Sequence, residues 1–139
     1  MSKEKKEVTA TLAEVLNSIP VVEAILNQRM PARLAFKVSL IRKSVAPLAE
    51  AFDEVRNKLV EETCKKDKDG NPVYVDDRRT QVDFADDESR DRFVKEIEET
   101  LRDEISLSVD RLTFDELDKM TDWKPTPIEI ELISYLLDG

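Results

Sequence analysis

Residues 31–66, PARLAFKVSLIRKSVAPLAEAFDEVRNKLVEETCKK, decide the fold. Leu34, Val38, Ile41, Val45, Leu48, Phe52, Val55 and Leu59 follow one another in alternating steps of four and three. That spacing puts all eight on one stripe of a helix from about Pro31 to Lys66. At about 1.5 Å per residue such a helix is roughly 50 Å long. Pro47 lies inside it, lacks a backbone donor and crowds the preceding turn, so a kink or break is expected around Ser44 to Ala46.

Upstream, Leu12, Val15, Leu16 and Ile19, then Val22, Ile25 and Leu26, also keep helical spacing. Pro20 interrupts them. With Ser18 as the cap of a second piece, the reading is two short helices or one kinked helix. The polar residues 1–10 are expected to form a flexible N-terminus.

Downstream, Lys65-Lys66-Asp67-Lys68-Asp69-Gly70-Asn71-Pro72 is turn chemistry with Asp-Gly at its tip. Val73-Tyr74-Val75 and Gln81-Val82-Asp83-Phe84 are short strands or extended loop. Asp86 or Asp87 opens a helix through about Asp103, carrying Phe93, Val94, Ile97 and Leu101, about half as long as the first. It can cover the Phe52 to Leu59 end of the stripe, leaving the Leu34 to Val45 end to the N-terminal helices. Ile105-Ser106-Leu107-Ser108-Val109 alternates as a half-buried strand, which needs a partner from residues 73–84 or from another subunit. Thr113-Phe114-Asp115-Glu116 and Thr126-Pro127-Ile128-Glu129 are capping boxes opening helices Phe114 to Met120 and Pro127 to Leu137.

The expected fold is therefore mostly alpha (alpha+beta). It has a long helix or kinked helical hairpin, N-terminal helices, a small two- or three-stranded beta element and two short C-terminal helices. In domain terms, residues 11–139 form a single helical domain, with 31–104 as the hairpin and 105–139 as a small C-terminal subdomain.

Composition narrows the chemistry. Of 139 residues 40% are hydrophobic and 38% charged, which suits one folded acidic domain better than a disordered tail. The chain has no His and one Cys, Cys64, so His-dependent catalysis, the usual zinc sites and an intrachain disulfide lose their side chains. Lys and Arg number 22 against 31 Asp and Glu, and the net charge of −9 argues against direct nucleic-acid binding. No apolar run suggests an export signal or a membrane span. With glycine only at Gly70 and Gly139, a glycine-rich phosphate loop cannot be built.

Acid pairs recur at Asp76-Asp77, Asp86-Asp87-Glu88, Glu98-Glu99 and Asp115 with Asp118, and read as a solvated acidic face. The Asp-Gly loop fails as a calcium loop. With Gly70 in the required place, Lys65 occupies the first ligand position and Asp76 the position of a bidentate Glu. No catalytic, cofactor-binding or metal residue is assigned, and no cofactor is expected.

Arg29, Arg33, Lys37, Arg42 and Lys43 concentrate positive charge in an acidic chain. They can serve intramolecular pairs, an acidic protein surface or nucleic acid. Phe36 beside Lys37 reads as core, so no aromatic supports base stacking. Trp123 reads as a lid on the core rather than a contact anchor, and Cys64 as a small filler or exposed spectator.

The chain resembles a poorly characterised family of short proteins encoded by tailed bacteriophages and prophages, over about residues 12–138. The residues that carry the resemblance are Leu16-Asn17-Ser18-Ile19-Pro20, Met30 to Val38, Phe52 to Val60, Asp69-Gly70-Asn71 and Leu112 to Leu117. The acidic segment 76–92 departs from the pattern. The resemblance transfers no catalytic residue. It implies a non-enzymatic phage accessory or assembly protein, in the bacterial host cytoplasm or associated with the virion, with a viral or host protein partner or a second copy of itself. Self-assembly would bury Leu34, Val38 or Ile41 between subunits. An inhibitor binding a basic surface of a host defence or nucleic-acid enzyme is the alternative, carried by Asp76, Asp77, Asp83, Asp86, Asp87 and Glu88. A metal-dependent enzyme using two or three acids comes third.

Overall fold

The computed structural model describes residues 7–75 and 82–138. The fold is mostly helical with a small β component. Its order is β1 (Glu7–Thr11), α1 (Leu12–Leu26), α2 (Ala32–Thr63), α3 (Asp87–Leu101), β2 (Glu104–Ser108), β3 (Leu112–Thr113), α4 (Phe114–Asp118), α5 (Pro127–Leu132), a 3-10 turn (Ser134–Leu136) and β4 (Leu137–Asp138). The chain gathers into two compact units, Met1–Ala49 with Asp103–Gly139, and Glu50–Arg102. The expected hairpin 31–104 is thus shared between units, and residues 105–139 belong to the unit that contains α1.

In the first unit, β1 pairs antiparallel with β2, Val8 facing Leu107 and Ala10 facing Ile105. Residues 7–10 are therefore not part of a flexible N-terminus. They supply the strand partner expected from residues 73–84 or another subunit. Val8, Ala10 and Leu107 are buried while Glu7, Thr9 and Ser108 face out, so the strand obeys a period of two. β1 runs straight into α1, whose N-cap Thr11 makes a capping box: its side chain accepts from Glu14 N and its own N–H donates to Glu14 Oε1. A second, parallel pair joins Leu112 to Leu137 and Thr113 to Asp138.

Neither internal proline breaks its helix. Pro20 lies within α1 and Pro47 within α2. Each removes one backbone bond, yet apolar side chains anchor both flanks of Pro20 (Val15; Val21, Val22 and Ile25), and Val38, Ile41 and Val45 are buried just before Pro47. Each such side chain contributes about 1.5–3 kcal/mol of burial, enough to offset one lost bond. The Ser18 side chain does not cap a second helix: it is fully buried inside α1.

The core of the first unit joins Val15, Val22 and Ile25 of α1 to Leu34, Val38, Ile41 and Val45 of α2, Leu107 of β2, and Leu112, Leu117, Met120, Ile133 and Leu136 beyond it. The Leu34 to Val45 stripe is consequently internal to the chain, covered by the sheet and C-terminal elements as well as by α1. That corrects the expectation that Leu34, Val38 or Ile41 meets another subunit. The capping boxes at Thr113 and Thr126 both form, but α4 and α5 stop at Asp118 and Leu132, ahead of the expected Met120 and Leu137.

In the second unit, Leu59, Thr63 and Cys64 are buried at the end of α2, while Val55 remains 46% exposed. Asp86 caps α3 by accepting from Ser89 N at 2.7 Å, and this bond holds its carboxyl below the usual range. Arg92 Nη2 reaches Glu62 Oε2 at 3.0 Å and the Phe84 and Phe93 rings lie 5.3 Å apart. No α3 side chain is fully buried. Three extended segments meet in a closed ring of backbone bonds: Lys65 N–H donates to Asp83 O, Asp83 N–H to Val73 O, and Val73 N–H to Lys65 O. The Asp67 carboxylate accepts from the backbone N–H groups of Asp69 and Asn71, and Gly70 supplies the positive φ of +80° at the tip.

Candidate protein-docking groove

The N-terminal half of α2 presents Arg33, Phe36, Lys37 and Leu40 to a cleft of about 460 Å³. Its other wall comes from Asp110 and Arg111, from Thr113 and Glu116 at the start of α4, and from Asp138 of β4. A narrower slot of about 130 Å³, lined by Lys43, Ser44, Ser108 and Val109, shares Lys37, Leu40 and Asp110 with the cleft. The two form one groove between α2 and the chain running from β2 to α4.

Glu116 fixes the middle of this groove because it does two jobs with one oxygen. Its Oε1 accepts from Thr113 N–H at 2.9 Å, as the capping box requires, and from Lys37 Nζ at 2.8 Å. Burial alone would raise its pKa. The Lys37 bond and charge and the Thr113 bonds outweigh burial and hold it below the ordinary glutamate range. The remaining charges are less settled. Arg33 and Arg111 make no ion pair among the described residues, and Arg111 Nε is buried with no hydrogen-bond partner there.

Phe36 is the feature that the sequence reading misplaced. Expected in the core, it is 67% exposed at the mouth of the cleft, two residues from buried Leu34 and from buried Val38 and therefore on the opposite side of the helix. Phe114, which follows Thr113, is 49% exposed. Large aromatics held in the open beside charged groups suit recognition of another molecule.

The other singled-out residues are used internally or stand apart. Lys37 pairs with Glu116, and Arg42 with Glu23 at 3.4 Å. Trp123 packs partly buried against the first core, as a lid does, and Cys64 is a buried filler. Asp76 and Asp77 lie outside the described residues. Among the described residues no group of three or more His, Cys, Asp or Glu is placed to hold a metal ion, and no helix is long and apolar enough to cross a membrane. The groove itself was not legible, since residues 33–43, 108–116 and 138 meet only through the tertiary fold. The basic run on α2 was the available signal. No family model matches the chain, and no curated protein or solved structure matches it significantly.

Proposed function

We propose that this protein is a non-enzymatic bacteriophage accessory or assembly protein that acts through protein–protein contacts. The phage setting rests on the sequence resemblance. The mode of action rests on one observation, the exposed Phe36 ring at the mouth of a charged groove. An aromatic anchor of that kind contributes most when a partner's pocket desolvates it fully.

The test is recovery of tagged protein from phage-infected bacteria and from purified virions, beside Phe36→Ser. The expected result is a stoichiometric protein partner, or virion incorporation, that the variant loses while keeping its thermal stability. If the tagged protein is neither incorporated nor partnered, or if the variant behaves as wild type, the reading fails. A second reading, inhibition of a host enzyme through a basic surface, draws support from Asp87, Glu88 and Asp91, all exposed on the first turns of α3. It predicts a host partner lost on Asp87→Lys with Glu88→Lys and retained by Phe36→Ser.

A further inference from the structure

We infer that the groove between α2 and the β2-to-α4 chain binds an extended, acidic peptide segment of a protein partner, with one apolar side chain seated against Phe36 and Leu40. This rests on the reading that the protein acts through protein contacts, and it specifies the chemistry of that contact.

Three observations converge. First, the groove gathers four basic side chains, Arg33, Lys37, Lys43 and Arg111, with three acids, in a chain whose net charge is −9. The groove lining is thus net positive by one (4 − 3), whereas the rest of the chain carries −10 (−9 − 1). Second, Arg111 is half-buried in the wall, and its Nε–H has lost water without gaining a protein acceptor. A carboxylate in the cleft can offer two oxygens to the outer N–H groups of that guanidinium, which makes no ion pair among the described residues. Arg33, exposed across the same cleft and in no ion pair among the described residues, can take a second carboxylate. Third, Phe36 and Leu40 make an apolar strip beside these cations, which a bare anion would leave unused.

The acids decide between a peptide and a nucleic acid. Asp110, Glu116 and Asp138 share the groove and repel a continuous phosphate backbone, whereas a peptide can space its carboxylates to avoid them. Glu116 also neutralises Lys37, so the cations left to a ligand are discrete and separated.

The experiment is selection from a random peptide library displayed on phage, with the full-length protein as bait. Selected peptides are then measured by fluorescence anisotropy at two salt concentrations. Enrichment of peptides carrying two or more acidic residues around an aromatic or large aliphatic one is expected, with affinity falling as salt rises. Arg111→Gln and Arg33→Gln should each weaken binding about tenfold. Phe36→Ser, at a site too exposed to threaten folding, should weaken it comparably. Circular dichroism melts verify that each variant is folded.

No enrichment, enrichment without acidic bias, or equal binding by the variants overturns the assignment. Tighter binding of a single-stranded oligonucleotide at the same residues gives the groove to nucleic acid instead. A mass that doubles with concentration, and falls back in Arg33→Gln with Arg111→Gln, gives it to a second copy. If wild type recovers a partner that Phe36→Ser loses, yet the selection shows no acidic bias, protein docking stands and only the peptide chemistry falls.

Discussion

Ser18 and Tyr135 form a link whose strength can be measured. Ser18 is fully buried in α1, and its hydroxyl lies 2.6 Å from Val15 O and 2.6 Å from Tyr135 Oη. A serine has one hydroxyl proton. Given to Val15 O, it leaves Tyr135 as the donor and Ser18 Oγ as the acceptor. Tyr135→Phe then deletes one donor and orphans nothing, at a cost of about 1 kcal/mol. Ser18→Ala instead strands the Tyr135 hydroxyl, at about 1–3 kcal/mol, offset by about 0.5 kcal/mol from alanine's better helix propensity. With Phe at 135, Ser18→Ala strands no hydroxyl and should be close to neutral. A double-mutant cycle followed by urea denaturation should therefore give a coupling of about 1 kcal/mol.

The same link has a pH signature. Burial pushes the Tyr135 phenol above the ordinary tyrosine range and the Glu14 charge adds to the rise. Ser18 opposes it, since its hydroxyl can turn from Val15 toward a phenolate. A raised acid of this kind contributes stability fully below the ordinary tyrosine range and loses it as pH climbs from there through its own higher value. Tyr135→Phe should flatten part of the alkaline loss. A coupling within about 0.3 kcal/mol of zero would refute the tether. It would return Ser18 to a local role in its own helix.

Other perturbations test other parts of the fold. Val8→Ala removes a fully buried side chain opposite Leu107 and should cost about 2–3 kcal/mol, whereas Val55→Ala, at a 46% exposed position, should stay within about 0.5 kcal/mol by the same denaturation assay. Glu116→Gln keeps a capping side chain but removes the charge facing Lys37, and should cost about 0.5–1 kcal/mol at neutral pH. Because the Glu116 pKa is lowered, wild type holds that contribution above the ordinary glutamate range and loses it as pH falls through its own lower value. The two proteins should converge in acid. Gly70→Ala should cost about 1 kcal/mol purely from its positive φ, since a Cβ there meets nothing within 4 Å.

The helices and their caps were legible because both signals are local. The four-and-three spacing of Leu34 to Val45 and the Thr113 and Thr126 capping boxes depend on residues within a turn or two of one another. β1 hid because its five residues offer only Val8 and Ala10 as inward positions and follow a charged run, so the period of two had too few repeats to register. The two-residue pairing of β3 with β4 is shorter still and is set by where α5 returns the chain. At Pro20 and Pro47 the helices run on unbroken, because tertiary burial on the flanks offsets a penalty that is only local. Phe36 departs from the interior place its aromatic type suggests, because its angular position on α2 falls off the Leu34 and Val38 stripe.

The pairing of β1 with β2 also fixes the order in which the molecule can be completed as it leaves a ribosome. Glu50–Arg102 is one unbroken stretch, with every segment of its unit in hand before β2 is made. The other unit must keep Val8 and Ala10 waiting until Ile105 and Leu107 emerge, and its core is closed only by Ile133 and Leu136. Its first-made strand is thus among the last to find its mate, and nascent chains arrested ahead of β2 carry an unsatisfied apolar edge for chaperones to hold.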